Sequence, residues 1–133
     1  MDLSAASGQL VADYSHGMKK KTSLAAALLP APKLLFLDEP FEGIDAIASR
    51  QIKDLLLHYV QHGGTVFLTS HVLDVVERLC DHIGVIHKGR LVAQGSLAAM
   101  RAGVAPGETL ESIFLGLVGA TASASAHLDW LGG

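Results

Sequence analysis

Leu34-Leu35-Phe36-Leu37 runs straight into Asp38-Glu39-Pro40, so that four apolar residues with no polar relief end in two adjacent carboxylates. A short, continuous apolar run fits a strand of a parallel sheet covered on both faces. In open α/β sheets the crevice beyond the carboxyl ends of such strands is where ligands sit. Asp38 and Glu39 are therefore expected at a ligand mouth.

The segments around this strand alternate in the same style. Thr65-Val66-Phe67-Leu68-Thr69-Ser70 reads as a second β-branched, apolar strand, and it too ends at an ionisable residue, His71. Ser15 is placed to cap a helix running through about Leu29, stopped by Pro30-Ala31-Pro32. Phe41-Glu42-Gly43-Ile44-Asp45 forms a turn that feeds a helix over Ala46 to His62, with Ile52, Leu55, Leu56, Tyr59 and Val60 at helical spacing and Gly63-Gly64 as the stop. A short helix is expected from Val72 to Leu79. Ile83 to His87 and Leu91 to Gln94 read as two strands about a Lys88-Gly89 turn, closed by Gly95, with Ser96 capping another short helix. This order makes the fold class α/β.

Past Ala102 the pattern weakens. Thr109, Leu110, Ile113, Phe114 and Leu117 suggest one more amphipathic helix, Gly119 to Ala126 reads as a loose Ala/Ser/Gly-rich stretch, and Leu128, Trp130 and Leu131 are expected to dock on the domain, the alternative being a partner.

Composition narrows the function classes. The chain has 133 residues, half of them apolar, enough for one core in a single unit. Its formal net charge is −3, and Lys19-Lys20-Lys21 is the sole basic run, read as a solvated helix face, so no nucleic-acid footprint is expected. The single Cys80 cannot form an internal disulfide, fits a reducing compartment and reads as a small apolar helix residue. His58, His62, His82 and His87 lack ligand spacing with cysteines or acids, and no transition metal is assigned. The apolar run Leu24 to Leu29 is too short for the roughly 20 residues that span a bilayer, and Met1-Asp2-Leu3-Ser4 lacks a signal-peptide pattern.

Taken in order, Tyr14-Ser15-His16-Gly17-Met18, the Leu34–Asp38 strand with Glu39 after it, the Gly43-Ile44-Asp45 turn and His71 resemble the signature motif, Walker B strand, D-loop and switch histidine of the ATP-binding-cassette (ABC) family. The resemblance covers roughly residues 10 to 118 and is nearest to the ATPase subunits of bacterial exporters. Ser15 and Gly17 match the general Leu-Ser-Gly-Gly-Gln signature, while Tyr14, His16 and Met18 depart from it. The implied fold is a partial P-loop NTPase-like three-layer parallel sheet, the C-terminal half of an ABC ATPase domain over residues 1–118, followed by a loose tail over 119–133.

The resemblance implies ATP and Mg as cofactors. Asp38 would hold Mg, directly or through water, and Glu39 would polarise the attacking water. His71 would contact the γ-phosphate. Ser15 and Gly17, at a helix N-terminus, would meet the phosphate of a nucleotide bound by the opposite subunit. Asp45 would lie at the subunit junction. Each residue also has an ordinary structural use: helix caps for Ser15, Asp45 and the two carboxylates, and a satisfied strand-end histidine for His71.

Implied partners are a second nucleotide-binding domain in a head-to-tail dimer and an integral membrane permease, with the chain peripheral on the cytoplasmic side of the cell membrane. A P-loop string, Gly-x-x-x-x-Gly-Lys-Ser/Thr, is absent; Lys21-Thr22 is a decoy, with Lys20 where the glycine is required. The chain thus reads as a truncated ATPase, inactive alone. Two alternatives stand beside it: a non-catalytic fragment acting as a binding or regulatory module, and the head fragment of a chromosome-maintenance-type ATPase.

Overall fold

The computed structural model describes residues 4, 8 and 15–125, which form two units: one ending at His71, the other beginning at Val72. The sequence reading expected one. A physical reason lies in the strands, which make two separate two-stranded sheets, a parallel pair and a hairpin, each with its own helices.

In the first unit, α1 (His16–Leu28) begins where the Ser15 hydroxyl accepts the Met18 amide at 3.2 Å. It ends before the Pro30-Ala31-Pro32 turn, where Ala31 takes a φ of 50°. Strand β1 (Leu34–Asp38) pairs in parallel with β2 (Thr65–Thr69), and the register sets Asp38 opposite Thr69. Between them runs α2 (Ala46–Gln61), capped by the Asp45 carboxylate on the Ala48 amide at 2.8 Å.

The core is built from one residue set of each element. Leu24 of α1, Leu35 of β1 and Ile52 and Leu56 of α2 are buried together, with Leu37, Phe41, Ile44 and Val66 packed around them. Strand residues alternate between faces, and the face carrying Leu35 and Val66 is the one the helices cover. The opposite face is open: Phe36 is 68% and Phe67 59% exposed, their rings 5.5 Å apart. The strand expected to be covered on both faces is covered on one. Tyr59 ties the far ends of the strands, its hydroxyl donating to the Pro32 carbonyl at 2.6 Å while its ring lies over Gly64.

In the second unit, α3 (Leu73–Leu79) is followed by β3 (His82–His87) and β4 (Arg90–Ser96), an antiparallel hairpin longer than expected. Lys88 and Gly89 both take positive φ, 49° and 74°, the two-residue turn that matches strand twist. Ser96 caps α4 (Leu97–Ala102) by accepting the Ala99 amide at 3.1 Å. Arg101 is ion-paired with Glu77. Cys80 lies just past α3, half-buried, and burial raises its thiol pKa.

Helix α5 (Leu110–Ser125) corrects the expectation of a loose segment from Gly119: the backbone stays helical through Ser125. Alanine is the strongest helix former, and α5 packs on α3 and β4. The docking expected of Leu128, Trp130 and Leu131 lies outside the described residues. No helix among the described residues is long and apolar enough to cross a membrane.

Candidate functional site

Parallel pairing brings the carboxyl ends of β1 and β2 side by side, and this gathers the ionisable residues. The Thr69 hydroxyl donates to Asp38 Oδ1, fixing that carboxylate across the strand pair. The Glu39 amide points back into the ladder, donating to the Thr69 carbonyl at 3.1 Å and lying 3.2 Å from its hydroxyl. Two residues beyond β2, His71 Nδ1 is 2.9 Å from Glu39 Oε1. A carboxylate only accepts, so Nδ1 carries the proton. Hydrogen bonding to Glu39, then its negative charge, and more weakly the charge of Glu42, raise the His71 pKa above the ordinary 6.5. The ring stays open to solvent, at 68% side-chain exposure.

Glu39 occupies a costly backbone conformation. Its φ is +45°, in the left-handed region where a side-chain-bearing residue pays about 1–2 kcal/mol. Pro40 disfavours the right-handed helical alternative for the residue before it. Outliers of this kind persist where the surroundings over-determine them, and they cluster at functional sites. Here the amide is held by Thr69 and the carboxylate by His71. The carbonyl accepts from the Glu42 amide at 3.2 Å and from the Lys20 ammonium.

Beside this cluster is a pocket of about 400 Å³, walled by His16, Lys19 and Lys20 from the start of α1 and by Phe36, Asp38 and Pro40 from the end of β1. The first turn of α1 holds no acidic residue, and its free amides and cationic side chains give this end an affinity for anions. Gly17 sits against Ile44, and the His16 ring lies over Gly43, whose φ is +69°. The start of α1 therefore abuts the Gly43-Ile44 turn. Ser15 and Asp45 each cap their own helix, and neither is hydrogen-bonded to Asp38, Glu39 or His71.

For Mg, the residues present fit. A hard cation of this size keeps several waters and takes one or two carboxylates plus phosphate oxygens. Asp38 offers an exposed carboxylate braced by a hydroxyl, and among the described residues no cluster of three or more His, Cys, Asp or Glu forms a dedicated cage.

The family model described as ABC transporter matches residues 1–42, the stretch holding Ser15, Gly17, Asp38 and Glu39. The bacitracin transport ATP-binding protein BcrA of Enterococcus faecalis is 40% identical over 93 residues, 69% of this chain and 30% of that protein. The Nod factor export ATP-binding protein I of Neorhizobium galegae is 45% identical over 85 residues, 64% of this chain and 24% of that protein. A solved ATP-binding subunit of an ABC transporter superimposes with a TM-score of 0.76 at 32% identity, covering 83% of this chain and 46% of its own. This chain carries part of an ABC transporter ATPase domain. It spans about a quarter to a third of the length of these two curated relatives. Over the part that superimposes, its α/β elements match those of the solved ATP-binding subunit.

Two residues of this cluster escaped the sequence reading. Thr69 had a usable signal, since parallel pairing of two equal strands puts it opposite Asp38. Lys20 had none, because a triple-lysine run looks the same whether one ammonium is engaged or all are solvated. The run is not wholly a solvated face: Lys20 is half-buried and bonded to Glu39.

Proposed function

We propose that this chain supplies the hydrolytic carboxylates and the phosphate-facing signature helix of the ATP-hydrolysing subunit of an ABC exporter. The observation that supports this best is the Glu39–His71 pair, 2.9 Å apart at the carboxyl ends of two parallel strands, with Asp38 braced alongside.

Bound MgATP would supply the electrophilic γ-phosphoryl and the charge neutralisation that phosphoryl transfer requires. Asp38 would hold the ion, directly or through water, with Thr69 fixing its carboxylate. Glu39 orients the attacking water and takes its proton. His71, donating through Nδ1 to Glu39, holds that carboxylate's direction and offers its remaining ring edge to the γ-phosphate. Ser15 and Gly17 present α1 amides to the nucleotide of a second, head-to-tail domain, and Asp45 lies near that junction.

The names of the relatives, which speak of bacitracin transport and Nod factor export, support an exporter reading. The pair would then act beneath a separate membrane permease, peripheral on the cytoplasmic face.

The 133 residues contain no P-loop string. For the chain by itself this favours a second reading, a non-catalytic binding or regulatory module. Without that nest of amides and its lysine, little holds the phosphates. The test compares the chain alone with a hybrid joining it behind a P-loop-bearing N-terminal segment of an ABC ATPase. Mg-dependent ATP turnover is expected from the hybrid and not from the chain alone. A folded hybrid that binds ATP without turning it over would contradict the hydrolytic assignment.

A further inference from the structure

Resting on the assignment of Glu39 as the water-activating carboxylate, we propose that Lys20 is a positioning residue. Its ammonium, carried on the signature helix, holds the Glu39 backbone in the left-handed conformation that delivers the carboxylate to His71.

The geometry is specific to a cation at this position. Lys20 lies in the second turn of α1, 19 residues before Glu39, and its side chain reaches the Glu39 carbonyl. That carbonyl already accepts the Glu42 amide at 3.2 Å within the turn after β1. A carbonyl oxygen has two lone pairs, so the ammonium takes the remaining one and completes the oxygen's bonding. A charged donor makes a markedly stronger bond than a neutral one. Glu39 has no glycine's freedom at its φ of +45°. Its amide is fixed by Thr69 and its carboxylate by His71, which leaves the carbonyl as the third corner. Lys20 closes it.

The consequence is a direct link between two parts of the site. The helix whose first turn faces the pocket also grips the main chain of the hydrolytic residue. A shift of α1 along its axis would pull on the Glu39 carbonyl and turn its carboxylate away from His71.

The experiment uses the whole chain and two NMR measurements. In the unmodified protein, a scalar coupling through the hydrogen bond should connect Lys20 Nζ with the Glu39 carbonyl carbon; an observed Lys20 ammonium signal without that coupling overturns the proposal. Lys20→Met and Lys20→Arg are then compared through the His71 imidazole titration, which reports whether Glu39 still meets the ring. Lys20→Met should lower the His71 pKa to the value found in Glu39→Gln, and Lys20→Arg should keep the parent value. A folded Lys20→Met chain with the parent value overturns the proposal, as does an arginine variant that falls as far as the methionine one. If Lys20→Met does not fold, the coupling in the unmodified chain decides. Turnover of the Glu39→Gln hybrid is a separate matter: unchanged turnover would remove the hydrolytic role of Glu39 and leave the Lys20 bond standing.

Discussion

Glu39 concentrates what is unusual at the level of single residues: a carboxylate on a left-handed backbone, bonded at its amide, carbonyl and side chain. Its pairing with His71 has a defined pH signature. The raised His71 pKa means that the folded state binds a proton more tightly than the unfolded chain does. The pair therefore contributes fully below about pH 6.5, the unfolded value, and its contribution is lost as pH rises through the raised folded value. NMR titration should place the His71 transition above 6.5 in the parent and move it down in Glu39→Gln. A transition unmoved by that substitution would mean that the 2.9 Å contact is not formed in solution.

At the scale of elements, the turn at Gly43, which the His16 ring of α1 overlies, gives a second test. A Cβ added to Gly43 would lie 2.8 Å from the His16 ring, and its φ of +69° is left-handed. Gly43→Ala should therefore cost about 1–2 kcal/mol for the backbone, read as a drop in chemical-denaturation midpoint, while the exposed His16 ring swings aside at little further cost. Adding His16→Ala should leave that loss nearly unchanged. A midpoint unmoved by Gly43→Ala would contradict the left-handed turn at Gly43.

Much of this level was legible from sequence. The caps at Ser15, Asp45 and Ser96 and both apolar strands follow from local chemistry, because a capping oxygen or a β-branched run acts within a few residues. What was not legible depended on distant partners. The open sheet face needs knowledge of which elements cover Phe36 and Phe67, the engagement of Lys20 needs a contact 19 residues away, and α5 packs on α3 and β4, elements distant from it in sequence.

Across the whole molecule, the residues that carry the proposed chemistry, from Ser15 to His71, all lie in the first unit. Its buried set is small, and it leaves aromatic rings of β1 and β2 exposed. The Mg-binding, water-activating and phosphate-facing assignments come together in one measurement, made on the hybrid with a P-loop-bearing segment: ATP binding and ATP turnover before and after Glu39→Gln. Binding should be retained while turnover falls by roughly 10²- to 10⁴-fold, the range for losing a general base. Turnover within about threefold of the parent, far below that range, would contradict the role of Glu39 and with it the reading of this site as the hydrolytic centre.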